Sequence, residues 1–336
     1  GVILVENSFV HPYMPNSVPE NKKAMLDELG INSVEDIYKS IIPDELLYKE
    51  RLDIPEPIRS EYELKRHVMG ILNRDITTEE YTSFLGAGCY KHQVPAICDE
   101  INSRGEFLTA YCGDTYSDHG KMQAIFEYTS MMGELLDTDV VSYTTYDGGQ
   151  AVASSLRMAV RAVREKGMAG KVILVPKTMN PEIYSQVVQY CRNVAEVRKI
   201  AYEPETGLMD LEELKEQLAK KNVAAVFFEN PTYLGNFETR GEEIAKLAHD
   251  AGAYCVVQTE VAALGIMESP VNQGADIVCG DIQPLGMHIQ FGGGQAGFIA
   301  CNQNMDLVEQ FPTYMYGITE TEKEDTYGWG RAMNYR

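Results

Sequence analysis

The amino-acid sequence predicts an α/β fold built on a mainly parallel sheet and preceded by a helical N-terminal arm. Six short β-rich runs recur after residue 170: "KVILV" (171–175), "VRKIAY" (197–202), "VAAVFF" (223–228), "YCVVQ" (254–258), "DIVCG" (276–280) and "QAGFIAC" (295–301). Amphipathic helical patterns lie between them, and strands joined through helices run parallel. Most runs are almost continuously apolar, as strands covered on both faces require. The arm is predicted from residues 1–76, which hold only short helical patterns and a Pro-rich connector, "IPEPIRS" (54–60).

In the arm, Ser17 with Glu20 reads as a capping box before "NKKAMLDEL", and Gly30 as that helix's stop. Ser33 with Asp36 opens a second short helix, and Ser60 with Glu63 a third that runs to about Asn73. Beyond residue 76, "QVPAICDEINSR" (93–104) reads as a helix. "KMQAIFEYTSMMGELLD" has apolar residues at 122, 125, 126, 132, 135 and 136, which is helical spacing. "DGGQ" (147–150) reads as a turn before a long helix over 151–167. Asn180 with Pro181 gives an N-cap with proline at the first position, and Asp210 with Glu213 another box. The expected domains are the arm (1–76), a large domain (77–310) and the start of a C-terminal region (311–336) that breaks off. The chain lacks an initiator Met and reads as a processed or trimmed piece.

The formal net charge of −21 repels nucleic-acid phosphates and anionic lipid, which excludes both as partners. "GVILV" at the start has no basic lead and only five residues, so it reads as neither a signal peptide nor a membrane span. The seven cysteines (89, 98, 112, 191, 255, 279, 301) form no C-x-x-C pair, so they read as reduced, buried thiols. No permitted Asn-x-Ser/Thr acceptor occurs, in keeping with a cytoplasmic address.

Ligands of such sheets bind beyond the carboxyl ends of the strands. "TTYDGGQAVASS" (144–155) puts two glycines before a helix, which reads equally as a phosphate cradle or a plain strand-to-helix turn. "FLGAGCYKHQVP" (84–95) presents Tyr90 and His92 on a glycine-flanked loop; a tight turn whose aromatic packs locally is the alternative. "TAYCGDTYSDHG" (109–120) brings carboxylates near His119 but has no ligand spacing, so no metal is expected. Glu260 follows an apolar run, where it reads either as a carboxylate at a helix start or as a partner for a cofactor ring nitrogen. "FGGGQAGF" (291–298) matches neither the dinucleotide fingerprint nor the P-loop.

Taken in order, "HPYMPNSVPENKKAMLDELGINSVEDIY", "FLGAGCYKHQVPAI", "EFLTAY", "MQAIFEYTSMMGELL", "YDGGQAVASSLRMA", "GADIVCGDIQPLG" and "FGGGQAGF" resemble subunit 1 of the two-subunit glycine cleavage system P-protein. The resemblance implies an aspartate-aminotransferase-like large domain of the pyridoxal-phosphate-dependent transferase kind. It implies a glycine decarboxylase, assembled as a heterotetramer, that passes an aminomethyl group to the lipoyl H-protein. It further implies that the cofactor lysine lies on a homologous subunit 2. Gln283 and Pro284 stand about where that lysine would be, and the stretch 280–298 contains no lysine, so this chain has no amine there to bind pyridoxal phosphate covalently. Tyr90, His92 and Tyr111 would face the partner's site; Glu260, Gln283 and Pro284 would be relics of a lost one. The loop "CGDTYSDHG" replaces the family's usual "TPYQPEISQG", and Glu260-Val261 its "DP". A paralogous complex acting on another small amine or amino acid, or a silent scaffold, therefore stays open.

Overall fold

The structure is a computed structural model that describes residues 10–48, 50, 52–86, 88–108, 119–167 and 170–332. Chain contacts divide it into two units, Gly1–Ile76 and Thr77–Arg336.

The first unit is helical: α1 (Pro19–Leu29), α2 (Val34–Ile41) and α3 (Glu61–Leu72). Gly30 ends α1 in the left-handed conformation, φ +69°, as a C-terminal glycine stop should. The Ser17–Glu20 box does not form. Pro19 fits the first helical position, so Val18 becomes the N-cap, and the Ser17 hydroxyl instead donates to Met14 O at 2.6 Å. The second box does form its return arm, with Ser33 N donating to Asp36 Oδ2 at 3.1 Å. At α3, Glu63 N donates to Ser60 Oγ.

The second unit opens with α4 (Ala96–Asn102), α5 (Gly105–Leu108) and α6 (His119–Leu136). Strand β1 (Val140–Val141) leads into α7 (Gly148–Glu165). Then come β2 (Val172–Pro176), α8 (Pro181–Cys191), β3 (Glu196–Ile200), α9 (Leu211–Leu218), β4 (Val223–Asn230), α10 (Gly241–Asp250), β5 (Tyr254–Thr259) and β6 (Ile277–Asp281). Strand β7 (Gly297–Cys301), α11 (Met305–Val308) and the hairpin β8 (Met315–Glu320) with β9 (Tyr327–Ala332) complete it. All six expected runs are strands. Strand β1, whose two residues are too short to show a period, and the terminal hairpin are additional to those runs.

The sheet order is β1-β7-β6-β5-β4-β2-β3. β3, β2, β4, β5 and β6 pair in parallel, while β7 runs antiparallel to both β6 and β1. Alternate residues feed two cores. Ile173, Phe227, Val256, Ile277 and Ile299 pack with α7 and α8; Leu174, Val226, Val257, Val278 and Phe298 pack with α6, α9 and α10. Burying each such side chain contributes roughly 1.5–3 kcal/mol, which is why the β-rich runs are apolar on both faces. Helix α7 is buried almost all round, and its alanines let it lie close against the sheet.

The long helix begins three residues earlier than the sequence reading placed it. Asp147 Oδ1 accepts Gln150 N at 2.6 Å and makes Asp147 the N-cap, so both glycines fall inside the first turn. Gly148 suits this close approach, because a Cβ there would lie a tight 3.1 Å from Asp281 Cβ. Four described cysteines, at 191, 255, 279 and 301, are buried and unpaired; Cys89 and Cys98 are partly buried and unpaired. Among the described residues no helix is long and apolar enough to cross a membrane.

Candidate functional site

The carboxyl ends of β5 and β6, the amino end of β7 and the first turn of α7 meet at one edge of the sheet. Asp281, the last residue of β6, pairs across the ladder with Gly297, the first of β7. Thr145, just ahead of α7, bridges to the same glycine. The 282–296 loop leaves and re-enters the sheet at this edge, and the 86–92 loop packs on it.

Asp281 is the hub. Its Oδ2 accepts Gly148 N at 3.0 Å, and its Oδ1 accepts Gln283 N at 2.7 Å. A carboxylate on the first turn of α7 is favoured by the helix dipole. Burial still pushes its pKa up, against the N–H groups of Gln283, Gly148 and Ala296. Glu260 follows β5 and accepts Ala262 N, which makes it the cap of the short helix after it; burial, then the charge of Asp281, oppose its ionisation. Asp281 carries the same sequence signal as Glu260, a carboxylate closing an apolar run.

Tyr90 has its ring beside Gly86, and the Gly88 main chain hydrogen-bonds its hydroxyl. Burial, followed by the charges of Glu260 and Asp281, raises the Tyr90 pKa, so the phenol stays protonated at neutral pH. The residue is 44% exposed. His92 holds Nδ1 3.3 Å from Gln93 O, while its buried Nε2 has no hydrogen-bond partner among the described residues. Tyr111 lies outside the described residues, as does most of the 109–120 loop. No metal-binding cluster of His, Cys, Asp and Glu occurs among the described residues.

Gln283 is wholly buried. Its Oε1 accepts Tyr90 N at 3.1 Å, and its Nε2 donates to Tyr90 O at 3.1 Å and Met287 O at 3.0 Å. Pro284 follows it in a short 3-10 turn. An open cavity of about 790 Å³ lies alongside, lined by Thr78–Ser83, Leu85, Gly86, Cys89–Lys91, Ile289 and Gly292. Lys91, the amine in this lining, is held by Thr78 O at 2.6 Å and Glu79 at 3.2 Å.

These residues do not fit a phosphate-bearing aldehyde cofactor. The first-turn amides of Gly148 and Gln150 are taken by Asp281 and Asp147, two carboxylates that would face the phosphate. The Gln186 amide also lies over this turn, with its Oε1 2.5 Å from where a Cβ of Gly149 would stand. Of the two readings of residues 144–155, the geometry favours the strand-to-helix turn.

The family model for the glycine cleavage system P-protein matches residues 11–333. The chain belongs to that family. It is 35% identical over 322 residues to a probable glycine dehydrogenase (decarboxylating) subunit 1 of Staphylothermus marinus, covering 93% of this chain and 66% of that protein. It is 38% identical over 310 residues to the protein of the same description from Pyrococcus horikoshii, with coverages of 92% and 67%. The chain thus spans about two thirds of the length of these relatives. A crystal structure of glycine decarboxylase (P-protein) of the glycine cleavage system, in inhibitor-bound form, superposes with a TM-score of 0.78 at 30% identity, over 97% of this chain and 69% of that one. The P-protein architecture implied by the resemblance is the one this chain adopts. A Burkholderia pseudomallei sphingosine-1-phosphate lyase shares the fold at a TM-score of 0.57 and 13% identity.

Proposed function

We propose that this P-protein chain is the subunit without the cofactor lysine in a glycine decarboxylase that works in the cytoplasm with a homologous lysine-bearing subunit 2. The complex would use pyridoxal phosphate held by that partner and deliver an aminomethyl group to the lipoyl H-protein. The observation that carries this reading is the state of the sheet edge. Gln283, which the resemblance sets about where that lysine would be, is a buried glutamine whose amide is committed to protein, and the glycine turn is closed by carboxylates.

Bound pyridoxal phosphate supplies an electron sink for decarboxylation. This chain's own contribution is the 86–92 loop. Tyr90 would offer a protonated hydroxyl, and His92 an imidazole whose Nε2 the described fold does not engage. Glu260 caps its own helix and serves as structure.

Co-expression with the neighbouring chain tests the assignment. Borohydride reduction followed by peptide mapping should place the pyridoxyl-lysine on the partner, and a pyridoxyl adduct on this chain purified alone would overturn it. In the complex, Tyr90→Phe and His92→Ala should each lower kcat/KM for glycine about a hundredfold or more, as the loss of a positioned acid–base group does. An intact complex with unchanged turnover in both variants would reduce this chain to a scaffold. Turnover of N-methylated or longer analogues in preference to glycine would favour a paralogous substrate.

A further inference from the structure

We infer that Gln283 is a positioning residue, whose side-chain amide fixes the main chain of Tyr90 and so sets where the 86–92 loop stands. The inference rests on the proposed role of that loop. Gln283 and Tyr90 are 193 residues apart in the sequence, yet they exchange two hydrogen bonds, from Tyr90 N to Gln283 Oε1 and from Gln283 Nε2 to Tyr90 O, both 3.1 Å. This is the pattern by which one strand holds a residue of its antiparallel neighbour, here supplied by a side chain. The second Nε2 hydrogen goes to Met287 O at 3.0 Å, so one amide joins the 86–92 loop to the 282–296 loop.

Residue type matters at this position. The pairing needs one acceptor and two donors on a planar group. A lysine has no acceptor, an ionised glutamate has no donor, and an asparagine is one methylene too short to keep the same reach. Gln283 is itself held from behind, because its N–H donates to Asp281 Oδ1 at 2.7 Å. The neighbouring ties are weaker. Gln295 Nε2 donates to Cys89 Sγ, and His288 pairs with Asp99 at 2.9 Å in an exposed setting. Gln283 is the wholly buried tie of the three, and a buried amide partner is the one whose loss leaves groups unpaired. Tyr90 and Gly86 line the cavity beside it, so the same bonds set the shape of its rim.

The test uses the assembled complex and two readouts. Hydrogen exchange should show the Tyr90 amide protected in the native chain and exchanging at least tenfold faster in Gln283→Leu. Kinetics of Gln283→Leu should show a fall in kcat/KM for glycine of about tenfold, with stoichiometry and the cofactor's absorbance kept. In a double-mutant cycle with Tyr90→Phe, the two losses should be far from additive, because both act through Tyr90. The isosteric Gln283→Glu should recover toward native activity as pH falls, since a protonated carboxyl regains a donor. A rapidly exchanging Tyr90 amide in the native complex, an intact Gln283→Leu complex with native kcat/KM, or additive losses would each overturn the inference. The functional reading of the loop stands or falls on other variants, Tyr90→Phe and His92→Ala alone, so the two failures are distinguishable.

Discussion

Glu229, next to last in β4, is only 5% exposed. Burial pushes its pKa to about 7 despite the Asn180 and Tyr233 N–H groups it accepts. The folded chain therefore holds a proton that the unfolded chain, with an ordinary value of 4.5, releases. The fold is least penalised below about pH 4.5 and loses stability as pH rises through 7, by on the order of 3 kcal/mol from this group. Glu229→Gln keeps an acceptor for Asn180 N and removes the titration. Its melting temperature should fall less than the native chain's between pH 5 and pH 8, and parallel curves would show that Glu229 is not the group responsible.

Helix α7 shows how an element inherits its start from one side chain. A Gly-Gly pair is a poor helix opening by propensity, and the sequence reading accordingly placed a turn there. The helix forms because Asp147 caps Gln150 N, Asp281 caps Gly148 N, and the following turns bury Leu156, Met158 and Val160. Asp147→Ala removes one of these caps. It should lower stability to urea by about 1 kcal/mol, with the slope of the transition unchanged. A change in slope would instead point to a frayed first turn. The sheet followed the opposite course. Its strands were legible because each carries its own burial pattern, whereas β1 has two residues and borrows its place from β7.

At the scale of the whole molecule, the loops around the candidate site carry large apolar groups that this chain leaves exposed. Phe84 is 94% exposed and Phe291 96%, with Leu285 and Tyr146 also exposed. Large exposed aromatics so close to the candidate site suit a surface that another chain covers. Assembly with the homologous subunit should bury them. The double variant Phe84→Ser/Phe291→Ser should weaken association at least tenfold in sedimentation experiments while the lone chain keeps its melting temperature. Unchanged association would place the subunit contact elsewhere.

The sequence by itself determined the fold class, the six principal strands, the starts of α2, α3, α8 and α9, and the family, because periodicity, caps and motif order are written in neighbouring residues. It also singled out Tyr90, Gln283 and Glu260. Only the tertiary structure decided what they do to one another. The hydrogen bonds of Gln283 to Tyr90 were not legible, and Asp281 was not legible as the cap of α7. Those hydrogen bonds join residues 193 and 133 positions apart. Their partners exist only once the sheet has brought its carboxyl edge, the glycine turn and the two loops together.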